Sequence, residues 1–231
     1  MSKKTAVITG ASRGIGRAIA FELGKQGFEL ICSSRSEKKL AELHKSLSEA
    51  GYKCTTYSCD VSDKASLSDF ATQIQGPVDV LVNNAGVFHP GALMEEDEGV
   101  LESTIQTNLY SAYYLTRALI DGMKAQKSGH IINICSVASL TAYPNGGSYS
   151  ISKFALLGFS KNLRLELQEE GIRVTAVMPG AVYTDSWEGT DLPETRFMSA
   201  EDIASAVGNA VALSSRTVLE DIILRPQLGD I

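Results

Sequence analysis

Short runs rich in Val, Ile, Thr and Tyr alternate with longer amphipathic stretches along the chain, and no other feature constrains the fold as much. "TAVIT" (5–9), "FELICSS" (28–34), "KCTTYSC" (53–59), "VDVLVNNA" (78–85), "HIINICS" (130–136), "IRVTAVMP" (172–179) and "VLEDIILRP" (218–226) read as strands. Between them, helical spacing of apolar residues spans 16–27, 36–50, about 64–75, about 98–126, about 148–170 and 200–214. Strands and helices in this alternation imply right-handed crossovers and a parallel sheet covered on both faces. The expected fold is α/β: a single-domain, Rossmann-like, doubly wound parallel sheet of about seven strands. No Pro/Gly/Ser-rich linker divides the chain, so one domain is expected over residues 1–231. Residues 180–199 lack periodicity, and a loop of that length is expected to be a substrate lid.

Composition narrows the partners. The formal net charge of −6 offers no attraction to nucleic acid or to an anionic membrane. No run of 18 apolar residues is present, so no membrane span is expected. The start, "MSKKTAVITG", has no signal-peptide core, which favours a cytoplasmic location. Cys32, Cys54, Cys59 and Cys135 form no Cys-x-x-Cys pair and are expected as buried free thiols. His44, His89 and His130 lack ligand spacing, so no metal site is expected.

"TGASRGIG" (9–16) follows the first strand and opens the first helix. Gly10, Gly14 and Gly16 permit a sharp turn and close approach, and a helix N-terminus there presents N–H groups to an anion. Ser12, Arg13 and Ile15 belong to the same turn. The spacing is Gly-x-x-x-Gly-x-Gly, and a tight packing turn would use the same residues. NAD-binding domains of this kind carry an acid at the end of the second strand, but here "CSSRSEKK" supplies Ser33, Ser34 and Arg35, with Glu37 at the helix start. Arg35 with Arg13 suits a 2′-phosphate, so NADP(H) is expected over NAD. Asp60 and Val61 end the third strand, positioned for an adenine, and Asn83, Asn84, Ala85 and Gly86 end the fourth. Strand ends are where an open α/β sheet binds its ligand, although each of these is also a turn residue.

"YSISK" sets Tyr149 and Lys153 four positions apart. Both side chains titrate near about pH 10 in water. On a helix they share one face, about 6 Å apart. At an effective dielectric of about 20, a charge at that range is worth roughly 3 kcal/mol, or about two pKa units. The Lys153 ammonium is therefore expected to pull the Tyr149 phenol down, with burial and a cationic nicotinamide ring moving it further towards neutrality, allowing proton exchange with a carbonyl oxygen. Ser136, at the end of the fifth strand, is expected to bond the same oxygen. Asn108 is a poor helix former inside a long helical stretch, which hints at a local role.

Together, "TGASRGIG", "CDV", "NNAG", Asn108 in "QTNLYSAY", Ser136 in "INICSVAS", "YSISK" and "PGAVYT" (179–184) resemble the short-chain dehydrogenase/reductase family, in order and over essentially the whole chain. The interval of thirteen from Ser136 to Tyr149 is similar to the family's. The resemblance implies that Tyr149 donates the proton in carbonyl reduction. Lys153 would lower its pKa and hold the nicotinamide ribose, and Ser136 would orient the substrate oxygen. Asn108 would anchor a water linking Lys153 to solvent. It further implies that Asp60 and Val61 bind the adenine side, that Asn84 and Gly86 with Ala85 lie near the ribose, and that Pro179, Gly180, Val182 and Thr184 line the carboxamide. Asn83 is expected to bridge strands.

The family reduces ketones, sugars, steroids, pterins and acyl-carrier thioesters. The expectation for this chain is an NADP-dependent carbonyl reductase or alcohol dehydrogenase acting on a small-molecule carbonyl or alcohol. Substrate contacts are expected from 180–199, from 137–147 and from the stretch after Gly86, with Trp187, Tyr183, Tyr143 and Phe88 making a partly apolar pocket. One alternative is a 3-oxoacyl-[acyl-carrier-protein] reductase. Against it, "EDIILRPQLGDI" departs from the usual C-terminal strand of such enzymes, and "QEEG" (168–171) has the wrong sign for an acidic carrier. A non-catalytic NADP-binding regulator is a second alternative, but such proteins lose the tyrosine or the lysine and this chain keeps both. By analogy a homodimer is expected through the helices near 98–126 and 148–170, with a homotetramer disfavoured by the altered C-terminus.

Overall fold

The computed structural model describes residues 4–184, 187 and 189–231. Residues 1–3, and Asp185, Ser186 and Glu188 of the expected lid, lie outside that description. Seven strands form one sheet: β1 (Thr5–Thr9), β2 (Glu29–Ser34), β3 (Cys54–Ser58), β4 (Val80–Asn83), β5 (Gly129–Ile134), β6 (Ile172–Pro179) and β7 (Asp221–Leu224). The α-helices are α1 (Gly14–Lys25), α2 (Glu37–Glu49), α3 (Lys64–Gln73), α4 (Val100–Ile105), α5 (Ser111–Gln126), α6 (Gly147–Leu167) and α7 (Ala200–Ala212). The spatial order is β3-β2-β1-β4-β5-β6-β7, with every neighbouring pair parallel.

Period-two alternation explains why both faces are covered. Ala6, Ile8, Val80, Val82 and Ile132 pack with Ile19 and Leu23 of α1, Leu43 and Leu47 of α2, and Ile203 and Val207 of α7. Val7, Leu81, Ile131 and Val174, pointing the other way, pack with Leu67 and Phe70 of α3 and with Leu115 and Met123 of α5. Ala176 and Met178 meet Leu156 and Leu157 of α6. Ser36 and Asp63 cap α2 and α3 through their side-chain oxygens, and Ser199 forms a capping box with Asp202 at α7.

Several expected boundaries shift. The stretch 98–126 is not one helix: a π-helical turn, Gln106–Tyr110, separates α4 from α5 and carries Asn108. β5 stops at Ile134, so Ser136 caps a short 3-10 turn, Val137–Ser139, instead of ending the strand. β4 and β7 are shorter than their apolar runs. Cys54 is half-buried, not buried, while Cys32, Cys59 and Cys135 are buried; all four are free. Asn83 bridges strands as expected, its amide donating to Asn133 Oδ1 (2.8 Å) and Thr116 Oγ1 (3.2 Å). Among the described residues no helix is long and apolar enough to cross a membrane.

Strand order reverses at β1, which lies between β2 and β4. Chains leaving β1 and β4 diverge to opposite sides, opening a crevice at their carboxyl ends. The site sits there.

Candidate active site

The turn after β1 is held from across the crevice. Asn84 Nδ2 donates to Thr9 O (2.9 Å) and Gly10 O (3.1 Å), while Thr9 Oγ1 accepts from the N–H groups of Asn84 and Ala85, both at 3.1 Å. This clamp leaves no room for side chains. A Cβ on Gly16 would stand 2.4 Å from Asn84 Nδ2 and 2.5 Å from Gly10 O. Gly10 has φ +64°, and its Cβ would meet Ala85 Cα at 2.9 Å. Asn84 is thus a brace for the glycine turn, and Thr9, which opens the "TGASRGIG" motif but was given no role from the sequence, shares that role.

A cavity of about 380 Å³ runs from this turn to the ends of β2 and β3. It brings together Gly10, Ser12, Arg13, Gly14, Ile15 and Gly16 with Arg35, Asp60, Val61, Asn84, Ala85 and Gly86. Asp60 accepts from the backbone (3.0 Å) and hydroxyl (2.6 Å) of Ser62; these bonds, with Arg35 nearby, hold its carboxyl below the usual range. Lys39 also lines the cavity beside Arg35, as a third cation that the sequence reading missed; it follows Ser36 by the three positions that a helix start brings round. Ser34 Oγ is buried, lines the same wall, and has no hydrogen-bond partner among the described residues. An orphaned hydroxyl, a cationic end and a side-chain-free helix N-terminus fit a phosphorylated dinucleotide.

The second cavity, about 370 Å³, shares Ile15, Asn84, Gly86, Val87 and Thr184 with the first, so the two form one groove. Ser136, Tyr149 and Lys153 stand together in its wall, and Pro179, Gly180 and Val182 line it with Thr184. Lys153 Nζ is buried, donates to Ile134 O (2.8 Å) and lies 5.7 Å from the Tyr149 ring centroid. Ser136 Oγ accepts from Ala138 N (3.1 Å) and reaches Pro179 O at 3.4 Å.

The expected fall in the Tyr149 pKa is not found. Burial pushes the phenol up to about 12, and a hydrogen bond with Ser136 opposes this only in part. Burial also brings the Lys153 amine down to about 8, so the cation meant to favour the phenolate is itself costly to hold. The chain alone therefore keeps Tyr149 protonated at neutral pH.

Asn108 is buried in its π-helical turn. Its Oδ1 accepts from Val87 N (2.8 Å), and Nδ2 donates to Val87 O (3.0 Å) and Ser152 Oγ (2.9 Å). Both amide protons are committed, leaving one lone pair of Oδ1 for a water.

A family model described as short chain dehydrogenase matches residues 4–194. The chain belongs to the short-chain dehydrogenase family. A sepiapterin reductase from Chlorobaculum tepidum is 41% identical over 99% of this chain and 98% of its own. A 3-oxoacyl-[acyl-carrier-protein] reductase from Haemophilus influenzae is 37% identical over 90% of each. Among solved structures, an alcohol dehydrogenase from the archaeon Thermococcus sibiricus, complexed with 5-hydroxy-NADP, superposes with a TM-score of 0.91 at 30% identity, over 100% of this chain and 99% of that one.

In this short-chain dehydrogenase the outer part of the second cavity is largely aromatic. Phe88 meets the Tyr149 ring edge-on (4.9 Å between centroids), and Trp187 packs on Phe197 (5.0 Å). Val137, Thr141 and Tyr143 line it from the segment after β5. Val182 bridges Met198, so the 180–199 stretch folds back on itself beside the pocket. Arg225, Asp230 and Ile231 also line the pocket; the sequence reading missed them, although their segment departs from the family's usual C-terminal strand.

Proposed function

We propose that the chain is an NADP(H)-dependent carbonyl reductase, acting in reverse as an alcohol dehydrogenase. The convergence of Tyr149, Ser136 and Lys153 where the two cavities join carries this reading. NADP(H), when bound, supplies the hydride. Gly10–Gly16 would hold its pyrophosphate, Arg13 and Arg35 its 2′-phosphate, and Asp60 and Val61 its adenine. Asn84, Ala85 and Gly86 would flank the ribose, and Pro179, Gly180, Val182 and Thr184 the carboxamide.

Ser136 orients the substrate carbonyl with its hydroxyl. Tyr149 then passes its proton to that oxygen. A phenol pushed up to about 12 stands ready as an acid, and a nascent alkoxide is a far stronger base than a phenolate. Lys153, whose amine lies 5.7 Å from the centre of the Tyr149 ring, stabilises the phenolate left behind. Lys153 then returns a proton to the Tyr149 phenolate, and Asn108, which fixes Val87 at the edge of the pocket, offers its remaining lone pair to a water through which solvent reprotonates the Lys153 amine. Residues 180–199 act as the lid, with Trp187 facing substrate.

The test is an NADPH-oxidation screen with sepiapterin, small diketones, aryl ketones and 3-oxoacyl thioesters. Turnover of free ketones supports the reading, and no turnover of any carbonyl defeats it. A second reading, the acyl-carrier reductase, is supported by the Haemophilus influenzae relative; it prevails if a carrier-bound thioester turns over much faster than every free ketone. Arg35→Ala should weaken NADPH binding by about 10- to 100-fold, the worth of a charge-assisted hydrogen bond, and change NADH binding by less than about threefold. Isothermal titration with both cofactors measures this, and equal small effects would refute the NADP assignment.

A homodimer through α5 and α6 is supported by the exposed Tyr113, Phe154 and Leu165 on these helices, and the sedimentation mass of the same preparation tests it. Four free cysteines fit a reducing, cytoplasmic setting.

A further inference from the structure

The segment after β7 folds back over the mouth of the substrate cavity. Gly229 N donates to Pro226 O (2.9 Å), closing a turn, with Gly229 at φ +84°. Arg196, in the 3-10 turn Glu194–Arg196, grips this strap by three backbone carbonyls: Gly229 O (2.9 Å), Asp230 O (3.1 Å) and Leu228 O (3.4 Å). Gly180 N donates to Leu224 O (2.8 Å), and a Cβ on Gly180 would stand 3.3 Å from Asp230 Oδ1. Pro179, next in the chain, is the residue whose carbonyl Ser136 Oγ reaches. The Asp230 carboxylate is thereby seated one residue from a backbone atom of the proton-transfer site.

Arg225 and Asp230 form an ion pair with each other. Besides Lys153 they are the only charged side chains in the cavity lining among the described residues; Phe88, Val137 and Trp187 make apolar walls between. Their side chains are 41% and 49% exposed, so both groups keep open positions toward the cavity and solvent. The pair is net neutral and offers an acceptor beside a donor. An anion gains at Arg225 what it loses at Asp230, and an apolar end satisfies neither. A neutral edge with adjacent N–H and C=O groups satisfies both.

We infer that the strap 226–231 is a specificity element. Arg225 and Asp230 bind a part of the substrate other than its ketone and select a neutral amide- or ureide-like edge, and Arg196 is the positioning residue that holds the strap in place. This rests on the carbonyl-reductase reading of the same cavity.

Three ketones with one reacting group test it: 4-acetylphenylurea, acetophenone and 4-acetylbenzoate. Trp187 is the only tryptophan and lines the cavity, so quenching of its fluorescence reports binding without turnover. The wild-type chain should bind the urea on the order of tenfold more tightly than acetophenone, with no gain for the benzoate. Asp230→Ala should bring urea and acetophenone within about twofold, and the isosteric Asp230→Asn serves if the alanine variant fails to fold. Arg196→Ala should lose the same preference, and Arg196→Lys should recover part of it. A wild-type chain without the preference, or a preference that survives at Asp230→Ala or Asp230→Asn, overturns the inference. A preference that survives Arg196→Ala removes Arg196 from it. If the ketones bind in the expected order while none oxidises NADPH, the reductase reading fails and the binding assignment stands.

Discussion

Tyr149→Phe should lower kcat for carbonyl reduction by about a thousandfold or more and change the NADPH dissociation constant by less than about threefold. The substitution removes one oxygen. The ring keeps its edge-on contact with Phe88, and Lys153 keeps its bond to Ile134 O, so the cavity retains its shape. What disappears is the phenolic proton beside Ser136, the one that the proposed mechanism delivers to the substrate oxygen. General acid catalysis by a placed side chain contributes about 10²- to 10⁴-fold, which sets the scale. Water is a poor substitute in a cleft this buried, where a phenol is lifted to about 12, chiefly by desolvation. Stopped-flow NADPH oxidation and cofactor titration give both numbers. Turnover within tenfold of wild type would remove Tyr149 from the reaction.

The second large effect concerns stability in acid. His130 begins the ladder of β5 against β4, is buried, and its Nε2 lies 2.7 Å from Thr175 Oγ1. Thr175 donates its single hydroxyl proton to Leu219 O (2.7 Å), so Nε2 must carry the hydrogen and donate. Nδ1 is left buried, unprotonated and without a partner among the described residues. Protonating it would create a buried cation near Arg173, and burial with that neighbour brings the ring down to about 3. An unfolded histidine titrates near 6.5, so between these values the unfolded chain binds the extra proton and the folded chain does not. Stability therefore falls as pH drops from about 6.5 toward 3. The full window is worth about 5 kcal/mol, and roughly 3 kcal/mol of it is lost by about pH 4. That is a large share of a typical domain's stability. Asp60 and Glu96, held low by Ser62 and Ser148, add to the same acid limb. Urea unfolding at about pH 7 and pH 4 measures the loss. His130→Gln keeps a donor for Thr175 and cannot become charged, so its stability should vary less with pH. An unchanged slope in that variant would assign the acid limb to the carboxylates.

How much was legible differed along the chain for physical reasons. β1, β6 and the capped start of α3 match their sequence boundaries, because in these strands the buried run coincides with the residues that pair and α3 begins at its capping Asp63. β4 and β7 do not: an apolar run marks what is buried, whereas a strand ends where its neighbour stops pairing. Asn108 signalled something local, but the π-helical turn that aims it at Val87 depends on packing against α6 and could not be read from propensity. Tyr149 and Lys153 do share one helix face. The sign of their electrostatics was misread: a four-residue spacing reveals the neighbouring charge, but burial, expected to lower the phenol further, disfavours the phenolate and raises it.

The sequence by itself determined the class of sheet, the glycine turn, and the pairing of a phenol with an amine, since all of these follow from short-range periodicity and residue chemistry. Only the tertiary structure decided that Thr9 and Asn84, at the ends of two neighbouring strands, lock the turn, that Lys39 joins Arg35 in the cavity wall, and that a segment beyond β7 returns to wall the second cavity. The turn lock and the strap join residues some thirty to over seventy positions apart, and their formation depends on how the sheet brings its carboxyl ends together.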